Sequence, residues 1–312
     1  MSSPPQSPRL FTLGNLTVDD IVIYDDARLY RASSGGDALF SAIGAWIWHK
    51  AVGLIARVGQ AYPAQNIQQI EAAGIACHLQ RVPNPDIRNW ALYEPDGRRQ
   101  FVNHLGSGSY EQMSMRGEEI PAQCLGAPAY HIAPMPVEVQ RGVLERLRTS
   151  PCLLTLDQFD QHLLDPQVQR TALELVARVD CYLPSHEEAR YLYGADDPLA
   201  AARAFAALGV PVVCIKLGAE GALLYLGQTA EVCHIPVCPV QVVDPTGAGD
   251  AFCGGFLAGM LLTGDARIAA CYGAVSASYV VQHVGALSLL GVDYRDSHTR
   301  LEQTLARVTC SR

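Results

Sequence analysis

The chain has 312 residues, of which 49% are hydrophobic and 17% charged, and its formal net charge at pH 7 is −8. This composition is that of a globular protein with a substantial core and excludes a largely disordered chain. The negative charge argues against nucleic acid or an anionic membrane as the main partner, and no apolar run reaches the length of a membrane-spanning helix.

The N-terminus and the cysteines indicate where the protein resides. Residues 1–9 are rich in Ser and Pro and lack a basic region followed by an apolar core, so we predict a short disordered tail and not a signal peptide. The chain has ten cysteines, mostly inside apolar runs, and no Cys-x-x-Cys pair. We therefore expect buried free thiols in a reducing cytoplasm.

From Leu10 onward, β-rich runs alternate with amphipathic helical stretches. The strands are predicted at 10–16, 52–59, 129–133, 152–157, 181–183 and 210–217, with an antiparallel pair at 222–226 and 230–235. The clearest helices are predicted at about 37–48, 63–73, 137–149, 199–208, 265–282 and 294–308. This alternation predicts an α/β fold with a doubly wound, mainly parallel sheet, formed as a single domain over residues 10–312.

Two stretches interrupt the alternation, at about 16–34 and about 87–103. The second is typical of a β-hairpin, because two β-rich arms flank Pro95-Asp96-Gly97. We expect both stretches to be inserts into the main sheet.

The most informative stretch is Val243-Asp-Pro-Thr-Gly-Ala-Gly-Asp-Ala-Phe252, at the start of a helix predicted to end near Gly264. Gly247, Ala248 and Gly249 have almost no side chain, so a ligand can approach their amides. Unpaired amides at a helix N-terminus favour an anion. A carboxylate repels phosphate, so Asp250 needs a reason to be in this turn. One reason is to accept a proton from a hydroxyl that attacks a phosphoryl group, and the alternative is a helix cap.

The run from Asp244 to Phe252 resembles the signature of the ribokinase-like (PfkB) carbohydrate kinases, and looser resemblances extend from about 10 to 285. The resemblance implies a ribokinase-like fold whose two inserts form a small β-sheet lid over the substrate. It implies that Asp250 is the catalytic base and that the amides of Gly247, Ala248 and Gly249 form the anion hole. Asp244 would lie near a monovalent-cation site.

Two further motifs resemble the substrate-binding segments of the family. Asp19 has the spacing after Gly14 of the Asp that holds two sugar hydroxyls, whereas Asp20 does not; the alternative is a solvated turn residue. Gly35 and Gly36 match the glycine pair at a helix start. Phe40 replaces the usual Asn, so it is either a core residue or a ring that stacks on the substrate.

Two more motifs resemble the metal and nucleotide segments. Glu188 matches the Glu that orders magnesium and its waters, although Ser185 replaces the usual Asn and Glu187 is a rival; the alternative is a helix-start carboxylate. Lys216 replaces a common Thr beside the ATP phosphates, with Gly218 and Gly221 allowing close backbone approach; the alternative is a surface lysine.

These motifs predict a cytoplasmic, magnesium-dependent kinase that transfers the γ-phosphoryl group of ATP to a hydroxyl of a small sugar-like acceptor. Potassium as an activating ion and a homodimer formed through the lid are compatible with the resemblance, and no nucleic-acid or membrane partner is expected. The alternatives are a nucleoside kinase of the same fold and a non-catalytic ligand-binding relative.

Overall fold

The computed structural model describes residues 9–23, 28–93, 99–158 and 165–311. The predicted tail, apart from Arg9, and the tip of the predicted hairpin lie outside these ranges. The helices and strands, in chain order, are β1 (Leu10–Leu13), β2 (Thr17–Ile23), β3 (Arg28–Gly35), α1 (Asp37–Trp46), β4 (Val52–Gly59), α2 (Ala64–Ala72), β5 (Ala76–Val82), β6 (Ile87–Tyr93), β7 (Arg99–Asn103), α3 (Tyr110–Met113), β8 (Ala129–Ile132), α4 (Val137–Leu147), β9 (Leu153–Leu156), α5 (Pro166–Val176), β10 (Cys181–Tyr182), α6 (His186–Tyr193), α7 (Pro198–Ala207), β11 (Val212–Lys216), β12 (Ala222–Leu226), β13 (Glu231–Ile235), α8 (Ala248–Thr263), α9 (Ala266–Val280), α10 (Ser297–Leu305) and β14 (Thr309–Ser311).

The main sheet has the strand order β14-β13-β12-β11-β10-β9-β8-β1-β4-β5. The strands from β5 to β11 in this order are parallel, and β12, β13 and β14 continue the sheet as antiparallel neighbours. The chain starts at β1, winds outward to β5 and then returns to continue from β8 in the other direction. The predicted doubly wound, mainly parallel sheet is confirmed, and its topological switch point lies between β1 and β8, where such sheets bind ligands.

Helices cover both faces of this sheet. One face carries a core that includes residues of α4, α5 and α7, and the other carries α1, α8 and α9. Two glycines let α1 and α8 touch through their backbones: a Cβ on Gly44 would lie 2.2 Å from the carbonyl oxygen of Ala251, and one on Gly254 would lie 1.8 Å from that of Ser41. This close contact packs the middle and the C-terminal half of α1 against the first two turns of α8.

The two inserts form a second sheet of four strands in the order β3-β2-β6-β7. Strand β2 pairs antiparallel with β3 and parallel with β6, and β6 pairs antiparallel with β7 as the hairpin prediction requires. A Cβ on Gly285 would lie 2.7 Å from Ser33 Oγ and 3.6 Å from Ile21 Cδ1, so the lid rests on the loop after α9. The predicted lid is confirmed.

The expectation of ten free thiols is wrong for two cysteines. Cys233 of β13 and Cys310 of β14 are paired across adjacent antiparallel strands and form a disulfide. The other eight are free, and six of them are buried. The sequence analysis missed this pair because β14 is a three-residue exposed strand without a β-rich pattern, and 77 residues separate the two cysteines.

The structure also bears on membrane association. Among the residues described, none of the helices combines the length and the apolar character needed to cross a bilayer.

Candidate active site

The N-terminus of α8 lies at the centre of the candidate site. Gly247 caps this 16-residue helix with φ 75°, a left-handed conformation that favours glycine. A Cβ at Gly247 would lie 2.2 Å from the ring of Phe40, so the turn is packed directly on that ring. The Ala248 N–H of this turn donates to the Pro245 carbonyl oxygen at 3.3 Å. The first turn of a helix otherwise presents backbone amides without helical partners, as an anion site requires.

A small cavity lies between this turn and the lid, with a volume of about 10 Å³. Four residues predicted from the sequence line it: Asp19, Gly35, Phe40 and Asp244. The lining also includes Ile21, Ser33, Ser34, Ala91, Phe101, Thr246 and Gly285, which sequence analysis did not identify. A cavity of this size holds about one water molecule, and lid residues form part of its lining.

Asp19 is buried and faces this cavity from the lid. Its Oδ2 accepts a hydrogen bond from Thr17 Oγ1 (2.7 Å), and its Oδ1 accepts one from Asn89 Nδ2 (2.9 Å). Burial raises the pKa of Asp19 to about 6, although both hydrogen bonds oppose this shift. Asp20 points to the other side of the strand, where it accepts from the Ala32 N–H and lies 3.4 Å from His104. Asp19, and not Asp20, therefore lines the cavity.

The glycine pair has a steric explanation. A Cβ on Gly35 would lie 2.5 Å from Asp19 Oδ2, and one on Gly36 would lie 2.3 Å from the carbonyl oxygen of Asn15. Gly36 also has φ 100°, and it is not among the residues that line the cavity. The pair therefore allows the start of α1 to pack against the end of β1 and against Asp19.

Asp250 lies in the first turn of α8, beside a carboxylate that sequence analysis missed. Asp37, at the start of α1, accepts hydrogen bonds at Oδ1 from the Asn15 N–H (2.7 Å) and at Oδ2 from Asn15 Nδ2 (3.4 Å). Burial and then the charge of Asp250 raise the pKa of Asp37 well above its usual value. Burial raises the pKa of Tyr110 as well, and the charges of Asp37, Asp19 and Asp250 add to that shift. The site is therefore strongly acidic before any ligand binds.

Lys216 is the last residue of β11, and its side chain runs below the first turn of α8. A Cβ on Gly249 would have Lys216 Nζ at 3.7 Å as its nearest neighbour. The ammonium group forms an ion pair with Asp157, which directly follows β9, and lies 3.5 Å from Cys253 Sγ. Burial lowers the pKa of Lys216, but the charges of Asp157, Cys253 and Glu188 and the hydrogen bond to Asp157 together outweigh burial and hold this pKa well above its usual value. Lys216 is thus not a surface lysine.

Glu188 lies at the start of α6, which is the helix-start position that the sequence analysis gave as its alternative. Glu188 and Ser185 form a capping box at the start of α6. The Glu188 carboxylate accepts the Ser185 N–H at 2.6 Å, and Ser185 Oγ accepts the Glu188 N–H at 3.2 Å. Burial, and then the charge of Asp157, raises its pKa well above its usual value, whereas Lys216 lowers it. Two carboxylates beside one lysine supply the oxygen ligands that magnesium prefers.

Gly218 and Gly221 follow the C-terminal end of β11, and a second cavity is lined by other residues. Gly218 has φ 60°, and among the described residues no atom approaches its Cβ position within 4 Å; a Cβ on Gly221 would lie 2.1 Å from the Ile235 carbonyl oxygen. The cavity has a volume of about 750 Å³. Its lining comprises Cys238, Pro239, Val240, Gln282, Asp296, Thr299, Arg300, Gln303, Thr304, Ala306 and Arg307.

Asp244 lines the smaller cavity. Its side chain is buried, and its Oδ1 accepts the Thr246 N–H at 2.8 Å. The carbonyl oxygen of Val281 accepts the N–H groups of Val243 (2.7 Å) and Asp244 (3.1 Å). Gln282 of the larger cavity is therefore the neighbour of a residue that holds the turn before α8.

Comparison with known proteins is consistent with this geometry. The model of the family described as pfkB family carbohydrate kinase matches residues 16–290. The chain belongs to the pfkB family of carbohydrate kinases. A cytidine kinase from Thermococcus kodakarensis is 32% identical over 252 residues, which cover 80% of this chain and 87% of that protein.

Two solved structures share the fold of this pfkB family member. A protein from E. coli described as a ribokinase II, in complex with ATP and Mg²⁺, has a TM-score of 0.80 and 21% identity, covering 95% of this chain and 99% of its own. A fructokinase variant from Vibrio cholerae O395 with fructose, ADP and potassium bound has a TM-score of 0.75 and 20% identity, covering 96% and 99%. The predicted ribokinase-like fold and the predicted enzyme class, a kinase acting on a hydroxyl group, are confirmed.

Proposed function

We propose that this pfkB family kinase transfers the γ-phosphoryl group of ATP to a hydroxyl of an acceptor held between α8 and the lid. One observation carries the proposal: the amides at the start of α8 and the Asp250 carboxylate occupy one turn, beside a lid-covered cavity. An anion site next to a proton acceptor is the arrangement that phosphoryl transfer to a hydroxyl needs.

Each step is assigned to residues of this chain. Asp19 accepts hydrogen bonds from two acceptor hydroxyls and orients the acceptor. The amides of Gly247, Ala248 and Gly249 bind the phosphoryl group, whose negative charge is also offset by the ammonium group of Lys216. Asp250 takes the proton of the attacking hydroxyl as the new bond forms. The closed lid excludes water, which would otherwise hydrolyse ATP.

The ions expected from the sequence fit the donor groups present. Glu188 supplies a half-buried carboxylate for magnesium and its waters, and magnesium bound with ATP would neutralise phosphate charge. Asp244 supplies a buried carboxylate for a monovalent cation. We propose magnesium as the required ion and potassium as an activating one.

We further propose that the base of ATP binds in the cavity of about 750 Å³. Its volume lies within the usual range for small-molecule pockets. It borders Val240 and Gln282, next to the segment that holds the turn before α8. Backbone carbonyls, amide groups and guanidinium groups in its lining can pair with the edge of a base.

A tryptophan in this cavity tests the base site. Gln303→Trp places a large ring in the lining and is expected to raise KM for ATP about tenfold or more, with KM for the acceptor unchanged, because lost stacking and burial each contribute at that scale. Glu302→Trp on the same helix, outside the lining, is the matched control. Equal KM values for ATP in both variants and the wild type would rule out this cavity.

The acceptor that we favour is a small polyhydroxy sugar or sugar-like compound. Polar groups of Asp19, Ser33, Ser34 and Thr246 line the small cavity between the turn before α8 and the lid. A pyrimidine nucleoside is the second candidate. It is favoured by the rings of Phe40 and Phe101 in that lining, and by the 32% identity to a cytidine kinase. A ring of either phenylalanine can stack on a base.

An acceptor panel decides between these classes. We expect Mg-ATP to yield ADP with one class among sugars, sugar acids, polyols and nucleosides. Phe101→Ser should lower kcat/KM about 5- to 100-fold if a base stacks on that ring, and only about threefold for a sugar. A panel without acceptor-dependent ADP release, in a protein that still binds ATP, would favour the non-catalytic ligand-binding alternative.

The cytoplasmic location and the homodimer through the lid stay predictions.

A further inference from the structure

The ion pair between Asp157 and Lys216 lies below the anion site. The side chains are almost inaccessible to solvent, with exposures of 3% for Asp157 and 12% for Lys216. Asp157 directly follows β9, and Lys216 is the last residue of β11. Strand β10 lies between these two strands in the sheet. The lysine side chain therefore crosses the end of β10 to reach the aspartate.

The backbone of Lys216 is fixed independently of this ion pair. Its N–H donates to the Pro184 carbonyl oxygen at 2.8 Å, and Lys216 forms a parallel bridge with Ser185. Only the flexible side chain can therefore vary. From this anchor it could reach either of two carboxylates at the sheet edge, Asp157 or Glu188, and the structure pairs it with Asp157.

The carboxylate of Asp157 is itself held in place. Its Oδ1 accepts a hydrogen bond from the N–H of Gln158 at 3.0 Å. Its Oδ2 accepts hydrogen bonds from the ammonium group of Lys216 and from the thiol of Cys253, whose Sγ lies at 3.5 Å. Cys253 belongs to the first turns of α8. Asp157 thus connects the lysine to the helix whose N-terminus forms the anion site.

The side chain of Lys216 passes next to the turn that forms the proposed anion site. The three heavy atoms nearest to a Cβ on Gly249 all belong to Lys216: Nζ at 3.7 Å, Cδ at 3.8 Å and Cε at 3.8 Å. An ammonium group has three N–H donors, and the described residues provide two acceptors, Asp157 Oδ2 and Cys253 Sγ. The third donor is available to a phosphoryl oxygen bound at the amides above.

We propose that Asp157 is a positioning residue for phosphoryl transfer: it holds the ammonium group of Lys216 beneath the first turn of α8 and keeps it from pairing with Glu188. This inference rests on the proposed kinase function. In Asp157→Asn the ammonium group loses its charged partner and is drawn to Glu188, so it no longer lies below the phosphoryl group. The transferred charge is then less well stabilised, whereas acceptor binding at the lid is unaffected.

The test measures kcat and KM with the acceptor found in the panel. Asp157→Asn is expected to lower kcat about 10- to 100-fold with KM for the acceptor unchanged, since misplacing a charge near the transition state costs that much. Lys216→Met should have a similar effect, and the double variant should be no slower than Lys216→Met alone. Two independent effects that multiply in the double variant would overturn the proposal.

A matched control separates positioning from stability. Asp180 accepts from Arg148 and from the Leu154 N–H, at the opposite end of strands β9 and β10. Asp180→Asn should lower Tm but leave kcat per folded molecule unchanged. If Asp157→Asn behaves in the same way, Asp157 has only a structural role and the proposal is wrong.

Asp157→Leu combined with Lys216→Met keeps the proposal testable if a lone buried charge prevents folding, because apolar replacement of a buried pair is often tolerated. Wild-type kcat in this folded variant would overturn the proposal. Asp250→Asn is measured in parallel. Loss of activity in Asp250→Asn with wild-type kcat in Asp157→Asn would overturn this inference alone, whereas wild-type kcat in both would overturn the proposed function and this inference with it.

Discussion

Asp250→Asn is expected to lower kcat about 100- to 10,000-fold, because the amide cannot accept the proton of the attacking hydroxyl. The substitution preserves side-chain size and leaves the first turn of α8 intact, so KM for ATP should change little. Steady-state ADP release with the acceptor from the panel gives both constants. A variant with wild-type kcat would show that Asp250 is not the base.

Asp37→Asn is the matched control for this prediction, because the structure places a second carboxylate beside Asp250. Both oxygens of Asp37 accept hydrogen bonds from Asn15 at the start of α1, whereas Asp250 lies in the turn whose amides form the proposed anion site. We expect Asp37→Asn to retain kcat within about tenfold, since an indirect electrostatic effect is smaller than loss of the base. A greater loss in Asp37→Asn than in Asp250→Asn would reverse the assignment.

Asp19→Asn is expected to lower kcat/KM for the acceptor about 100- to 1,000-fold, because hydrogen bonds to a charged group contribute about 1.5–3 kcal/mol each. The adjacent Asp20→Asn removes a carboxylate that faces away from the cavity. It should stay within about threefold of the wild type, as substitutions remote from a site usually do. Equal effects of the two substitutions would contradict the assignment of Asp19 to the acceptor.

The same residue predicts a pH dependence. Burial raises the pKa of Asp19 to about 6, so the carboxylate is ionised above that pH and protonated below it. Only the ionised form accepts hydrogen bonds from two hydroxyls without donating one. As pH falls below about 6, kcat/KM for the acceptor should therefore fall about tenfold per pH unit. This limb of the profile should be absent in Asp19→Asn, and its persistence there would assign it to another group.

The acidity of the site has a physical consequence for how ligands bind. Asp19, Asp37 and Asp250 all act on Tyr110, and Asp157 and Glu188 raise the charge density at the neighbouring strand ends. Such concentrated negative charge opposes a phosphate. In the proposed function, the amides of α8 and the ammonium group of Lys216 provide compensating positive charge, and a bound divalent cation would add to it.

The sequence alone determined the fold class of this protein and identified its candidate chemical centre. Alternation of β-rich and amphipathic stretches predicted the doubly wound sheet, because hydrophobic periodicity is a local property. The run from Asp244 to Phe252 predicted the anion site and its carboxylate, because glycine, helix start and Asp250 are contiguous in the chain. The resemblance to the family motif, which has an Asp five residues after Gly14, likewise separated Asp19 from Asp20.

Only the tertiary structure decided which distant residues meet. Asn89 reaches Asp19 because β2 and β6 pair in one register, and Asp157 reaches Lys216 because β9 and β11 flank a short strand. Asp157 did carry a usable signal, a carboxylate directly after a buried strand. The disulfide between Cys233 and Cys310 depended on a strand too short to predict. Pairing register and strand order are set by packing of the whole chain, so no local pattern encodes them.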